Sequence, residues 1–193
     1  MILEIRLSNF FSIKDEVILD LQAGKIQSQA AKLLEDNTFD FNGEKILKTI
    51  ALYGANASGK SNIIKAIRFC CLMVVQSQDH NEKTLFNFLP FKFLGYSKKP
   101  SSFFIRFVSN EVEYEYSFSL TREQIITENL YFYPNGRRAL IFSRDESIKG
   151  EKKDKYSFGS AIKRPLDVAE NTSIKTLYIS RASQLDRDRK SVV

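Results

Sequence analysis

The chain contains no tryptophan, one histidine and only two cysteines among its 193 residues. Cys70 and Cys71 are adjacent, and a disulfide between neighbours is geometrically strained, so we predict two small, reduced, buried residues. His80 has no second histidine and no cysteine cluster near it, which excludes the spacing of a zinc site and favours a surface loop. The sequence therefore predicts neither a disulfide nor a zinc site.

Long uncharged apolar runs are also missing. No stretch reaches the roughly 18 apolar residues of a membrane span. The opening residues 1–7 carry charges within their apolar run, unlike a signal peptide. We therefore expect a cytoplasmic chain with no membrane partner. Its length fits one domain or one large lobe. Sixteen Phe and eight Tyr favour a strand-rich portion.

The formal net charge is +6. Most of the excess falls late, and acids are mixed with it, as in the segment 186–190. This pattern predicts a solvated face rather than a dedicated DNA groove. The basic groups concerned are Arg137, Arg138, Lys152, Lys153, Lys163, Arg164 and the three between Arg187 and Lys190.

The first third of the chain reads as strands followed by a helix. Segments 2–8 and 16–21 are strand candidates, and Asn42-Gly43 is a hairpin signal. Segment 49–53 is short, apolar and ends at a glycine, which predicts a buried strand of a parallel sheet. A mostly buried helix is expected from about Lys60 to Gln76.

From Ser102 onward the pattern changes to successive strands, at 103–108, 112–120, 125–133 and 138–143. The second alternates strictly between apolar and polar residues, as a half-buried antiparallel strand does. Pro134-Asn135-Gly136 is a turn signal between the last two. The charged, glycine-containing segment 144–164 is predicted to be a mobile loop. An antiparallel sheet therefore follows the first helix.

One motif carries chemistry. Gly54 to Ser61 matches G-x-x-x-x-G-K-S, between a strand-like segment and a helix. Glycines let several backbone N–H groups face one anion, and the helix N-terminus adds partial positive charge. Lys60 would reach the β- and γ-phosphates, and the Ser61 hydroxyl would bind magnesium. The candidate binding residues are Gly54, Ala55, Asn56, Ala57, Ser58, Gly59, Lys60 and Ser61.

A hydrolytic site is not evident. Hydrolysis needs an acidic strand end that holds magnesium and orients water. Asp20 lies upstream in a strand-like segment, and Asp167 follows Pro165 with no apolar run before it. No Leu-Ser-Gly-Gly-type segment occurs. The sequence therefore predicts binding of a nucleoside triphosphate, most simply ATP with magnesium, with no catalytic residue identified.

These residues resemble the ABC-type ATPases of the SMC, RecF and OLD lineage. The loop with Asn56 and Asn62, the opening Leu7-Ser-Asn-Phe-Phe-Ser12 and the sheet after the helix carry the resemblance. Within the lineage, the chain is most similar to AAA ATP-binding proteins of the RloA and abortive-infection type. The segments that suggest this subgroup are 89–93, 129–134 and 140–144.

The resemblance implies a fold and a site. The fold is α/β, a P-loop NTPase with an ABC/SMC-like head lobe over residues 1–193 and an antiparallel sheet after the P-loop helix. It adds Asn62 to the binding residues and places Ser12, Ile13 and Lys14 near the adenine and ribose. Relatives continue with a helical insertion, a signature segment and an acidic strand, so this chain is expected to be an N-terminal part.

The resemblance also implies an oligomeric state, partners and biological roles. Relatives sandwich ATP between two heads, which implies a head-to-head homodimer in a longer protein. A nuclease-type partner, DNA, phage defence and DNA maintenance are the roles that follow from the likeness. ATP hydrolysis is expected only in the full-length context.

Two other functions remain open at this point. A small-molecule or nucleotide kinase would need an arginine-rich lid and no antiparallel sheet after the first helix. A non-catalytic interaction module, or an inert fragment with a vestigial loop, would bind no nucleotide.

Overall fold

A computed structural model of the protein describes residues 1–24, 35–162 and 165–185. Its main element is a seven-stranded sheet in the order β2-β1-β5-β6-β7-β8-β9, in which every neighbouring pair is antiparallel. A separate hairpin is formed by β3 and β4. The strands are β1 Ile2–Ser8, β2 Val17–Asp20, β3 Thr38–Phe41, β4 Glu44–Leu47, β5 Ser101–Ser109, β6 Val112–Leu120, β7 Ile125–Phe132, β8 Ala139–Asp145 and β9 Tyr156–Phe158.

In the described part of the chain, three α-helices accompany the sheet: α1 Lys60–Gln76, α2 Pro165–Glu170 and α3 Tyr178–Gln184. Helix α1 has 17 residues and is about 25 Å long. The other two are short. Within the described ranges, no helix is long and apolar enough to cross a bilayer.

The core lies between α1 and one face of the sheet. In β6, alternate residues from Tyr114 to Leu120 are buried, and the residues between them are partly exposed. Period-two alternation in a strand puts these two sets on opposite faces. On α1, the residues Ala66, Cys70 and Met73 are buried against this apolar face. An aromatic cluster joins the helix to the strands, with ring centroids 4.8–5.8 Å apart: Phe10, Phe11, Phe69, Phe88, Phe103 and Phe118.

Most of the predicted elements are confirmed. Strands occupy the segments expected at 2–8, 16–21 and between 102 and 145. Helix α1 spans Lys60–Gln76 as its sequence indicates, but it is not the mostly buried helix that was expected, because only Ala66, Cys70 and Met73 of its 17 residues are buried. The Asn42-Gly43 turn connects β3 to β4, and both residues have positive φ, 50° and 81°. Positive φ at both central residues is the geometry that a tight hairpin requires.

The predicted strand at 49–53 is wrong. The segment is not part of any sheet and is largely exposed, with Tyr53 at 90%. A buried parallel strand needs neighbours that take up its N–H and C=O groups. Among the described residues, every paired strand is antiparallel and none pairs with this segment. Its apolar composition alone could not supply a partner.

Segment 144–164 was expected to be a mobile loop, but the structure shows regular secondary structure within it. The segment contains the end of β8, a short 3-10 helix at Lys152–Lys155 and strand β9. Glu151 and Asp154 cap the short helix reciprocally. Phe158 pairs with Phe142 in the sheet. Because the segment is rich in charged residues, its sequence did not indicate the short strand β9, whose aromatic residues pack on the core.

The cysteines differ from each other, although both were expected to be buried. Cys70 is buried and Cys71 is exposed, and neither forms a disulfide. Consecutive residues of a helix point about 100° apart, so one can face the core and the other the solvent. Burial raises the pKa of the Cys70 thiol to about 12, so it behaves as a small apolar residue.

A buried ionic cluster ties the sheet to the C-terminal part. Arg144 and Glu128 are fully buried, with 3.8 Å between their charged atoms. Glu128 also accepts hydrogen bonds from the Tyr178 and Ile179 N–H groups, at 2.6 and 3.0 Å. Burial raises the pKa of Glu128, and the charge of Arg144 opposes that rise. Arg144 further pairs with Glu146 at 2.7 Å.

Replacing Arg144 by leucine should destabilise the fold by about 3–5 kcal/mol, because it leaves a buried carboxylate without its cation. Urea unfolding followed by circular dichroism measures the change. Arg138→Leu is the matched control, since Arg138 pairs with Glu115 but its side chain is 51% exposed. An exposed pair contributes only about 0–1 kcal/mol. Equal losses for the two variants would contradict a stabilising role for the buried cluster.

Candidate nucleotide-binding site

The loop Gly54–Gly59 leads directly into α1. A hydrogen bond from the Ser58 N–H to the Ala55 carbonyl, at 3.3 Å, closes a turn within it. Ala57 adopts a left-handed φ of 63°, and Gly59, which precedes the helix, has φ 97°. Left-handed geometry at these positions lets the backbone reverse just before the helix begins.

Both motif glycines stand where a side chain would be crowded. A Cβ on Gly59 would lie 3.1 Å from the Ser12 Oγ, and one on Gly54 would lie 3.1 Å from the Ser58 Oγ. The loop backbone therefore approaches neighbouring hydroxyls closely. This is the reason in the structure for glycine at the two fixed positions of the motif.

Lys60 places its charge on the loop itself. Its Nζ donates to the carbonyl oxygens of Gly54 and Ala55, at 2.7 and 2.6 Å. The N–H groups of Lys60 and Ser61 lie in the first turn of α1, where a helix offers them no carbonyl partner. The helix dipole adds partial positive charge at the same point. Ammonium group, N–H donors and dipole together form a site for an anion.

Of the residues predicted to lie near the adenine and ribose, Ser12 lies beside this loop and Lys14 does not. The Asn62 side-chain amide donates to the Ser12 Oγ at 2.7 Å. Ser12 thus joins Gly59 and Asn62 at the start of α1. The Lys14 ammonium instead lies 3.4 Å from an Asp15 carboxylate oxygen and over the Tyr96 ring at 5.6 Å. The structure brings together the whole motif, Asn62 and Ser12.

One residue that positions this site was missed by sequence reasoning. Asn9 is buried at 3% exposure, with φ 54°. Its amide donates to the carbonyls of Tyr96 and Lys99, and its Oδ1 accepts from the Phe91 N–H. These bonds hold the turn that carries Ser12. Asn9 lies in the segment Leu7-Ser-Asn-Phe-Phe-Ser12 that carried the family resemblance, but nothing in the sequence assigned its side chain a role.

The phosphate loop is open to solvent, and its backbone N–H groups are the donors that could hold an anion there. The loop residues 54–58 and Ser61 are exposed. Cavities of about 190 and 270 Å³ lie elsewhere, on the outer face of the sheet and beside the C-terminal half of α1. No cluster of three or more His, Cys, Asp or Glu side chains suited to a metal ion occurs in the described ranges. The loop is the better candidate for a phosphate site, because N–H donors bind phosphate without an enclosed pocket.

Comparison with known families decides the class of this site. A sequence model of the family described as "AAA domain, putative AbiEii toxin, Type IV TA system" matches residues 50–192. The chain belongs to this AAA-domain family. The match covers the entire phosphate loop and confirms a P-loop ATPase family. A search of curated proteins finds no match.

This AAA domain differs from most P-loop NTPases in its sheet. Such proteins usually place the loop after a parallel strand, whereas all seven strands of the main sheet here are antiparallel. The expected α/β class and the antiparallel sheet after the P-loop helix are confirmed. The loop and α1 adopt the geometry described above although segment 49–53, directly before the loop, pairs with no strand.

Gly59→Ala tests the crowding at the helix start. The substitution should destabilise the protein by about 1–2 kcal/mol, because an L residue resists left-handed φ. Thermal and urea unfolding measure the effect. Gly24→Ala is the control, because a Cβ there meets nothing within 4 Å and Gly24 is not among the positive-φ glycines. A Gly59→Ala variant as stable as the control would contradict the geometry of the loop.

Proposed function

We propose that this AAA domain binds ATP together with magnesium through Gly54–Ser61 and Asn62. The observation that carries the proposal is the Lys60 ammonium on the loop carbonyls, directly at the N-terminus of α1. A triphosphate offers the charge and the number of acceptor oxygens that such a site requires.

Each part of the site has a role toward the nucleotide. The loop N–H groups and those of Lys60 and Ser61 would hold phosphate oxygens. Lys60 would exchange loop carbonyls for the more negative phosphates. The exposed Ser61 hydroxyl suits magnesium, which prefers oxygen ligands and keeps several waters. When bound, the metal would neutralise charge on the phosphates.

We also propose the finer lineage, an ABC-type head lobe related to the SMC, RecF and OLD proteins and to RloA-type ATPases. The antiparallel sheet after α1 and the Ser12–Asn62 hydrogen bond support it. The sheet also disfavours a kinase. Ser12 would lie on the base side, whereas the Ile13 side chain is buried in the core and Lys14 is held by Asp15 and Tyr96. A head-to-head homodimer, a nuclease-type partner and a role in phage defence are part of this proposal.

Lys60→Ala should weaken binding of a fluorescent ATP analogue by about 10–100-fold, because charge-assisted hydrogen bonds contribute roughly 1.5–3 kcal/mol. Fluorescence titration with magnesium measures the affinity. Arg68→Ala removes the same charge from an exposed site farther along α1 and should bind like the parent chain. Equal affinity for Lys60→Ala and the parent would overturn the assignment of the loop.

Turnover by the 193-residue chain should be near background, although ATP binds. Catalysis requires an oriented water and a completed metal shell, and losing those terms costs several kcal/mol, with tenfold in rate for each ~1.4 kcal/mol. A steady-state phosphate-release assay measures the rate. Turnover near one per second that Lys60→Ala abolishes would reveal a catalytic acid within this chain.

A further inference from the structure

A second charged region lies outside the phosphate loop. Residues 83–110 contain five basic residues, eight aromatic residues and no aspartate or glutamate. Segment 45–78 also has five basic residues and no acid, but it has only two aromatic residues. A stretch of 28 residues with only positive charge and many rings indicates an anionic partner.

The two most exposed apolar side chains of this stretch, Phe93 and Leu94, lie in one loop, which we call the 92–99 patch. It presents Lys92, Phe93, Leu94, Lys98 and Lys99 to solvent, with Phe93 at 65% and Leu94 at 76% exposure. The aromatic residues before and after it are mostly in the core, as Phe88 and Phe103 are. An exposed phenylalanine and leucine among lysines do not contribute to the core.

The patch is held in shape by buried contacts. Leu94 has a left-handed φ of 54°, a strained value for this residue type, and Gly95 follows with φ 73°. The Asn9 amide bonds the carbonyls of Tyr96 and Lys99 at 3.0 and 2.8 Å. Phe91 contacts the Phe93 ring edge-on, at 5.7 Å between centroids. The exposed Phe93 ring is therefore braced from behind.

The charges of the patch are available to a ligand. Among the described residues, no carboxylate forms a salt bridge with Lys92, Lys98 or Lys99. The acid beside the patch is Asp15, which is engaged by Lys14 and by the Tyr96 hydroxyl. Lys99 lies over the Tyr96 ring at 4.2 Å, so the face of that ring is already covered by a cation. Phe93 remains as the open ring.

We propose that the 92–99 patch binds single-stranded nucleic acid, with the three lysines on phosphates and a base stacked on Phe93. Non-specific single-strand sites combine cations along the backbone with exposed rings on which bases stack. A duplex keeps the faces of its bases hidden, so it could use the lysines but not Phe93. One phenylalanine and one leucine offer little apolar area for a stable membrane anchor.

Fluorescence anisotropy with a labelled oligo(dT) of about 20 nucleotides, in a series of salt concentrations, tests the lysines. For a single strand, the slope of log K against log salt is about −0.7 per phosphate contact, so removing three contacts should reduce its magnitude by about 2. The test variant is Lys92→Glu/Lys98→Glu/Lys99→Glu. The control with the same change of charge at exposed sites elsewhere is Arg137→Glu/Lys149→Glu/Lys153→Glu.

Phe93→Ala tests the stacking. It should weaken oligo(dT) binding about tenfold, within the range expected for one stacked base, and leave the salt slope unchanged. Phe39→Ala, at another exposed phenylalanine, should have no effect. All four variants should retain the ATP analogue, which separates a failure of this proposal from a failure of the phosphate loop.

Three results would overturn the proposal. The first is equal loss of oligo(dT) binding in the patch variant and in its charge-matched control. The second is a duplex bound as tightly as the single strand, with Phe93→Ala neutral. The third is co-sedimentation with phosphatidylserine vesicles and no binding of oligo(dT), which would assign the patch to an anionic membrane surface.

Discussion

The structure depends on the packing of α1 against the aromatic face of β5 and β6. Burial of apolar area supplies roughly 25 cal/mol per Å², and here it fixes the position of a helix whose first residue is Lys60. The phosphate loop has no sheet partner of its own. Its geometry is therefore set from one side, by the helix into which it leads and by the packing of Ala66, Cys70 and Met73.

Polar contacts then fix both ends of that helix. At its start, Asn62 bonds Ser12, which ties α1 to the turn after β1. At its end, the Ser77 side chain accepts from the Leu177 N–H, and its carbonyl accepts from the Thr176 hydroxyl. The segment that contains Thr176 is held in turn by Arg144. A hydrogen-bonded path thus runs from the candidate site to the buried ionic cluster.

Local signals made the loop and most elements predictable. The phosphate motif, the helix from Lys60 and the alternation in β6 depend on neighbours within a few residues, so spacing alone revealed them. The predicted strand at 49–53 was wrong because an apolar composition does not specify a partner strand. Strand β9 was missed because its three residues lie in a charged stretch that resembles a loop.

The sequence by itself determined the chemistry of the phosphate loop and the side of β6 that faces the core. Only the tertiary structure decided which distant residues meet there. Ser12 and Asn62 are 50 residues apart, and Asn9 reaches carbonyls about 90 residues away. Such contacts follow from the order of strands in the sheet and the packing of α1. No local periodicity encodes them, because they arise from which surfaces are buried against each other.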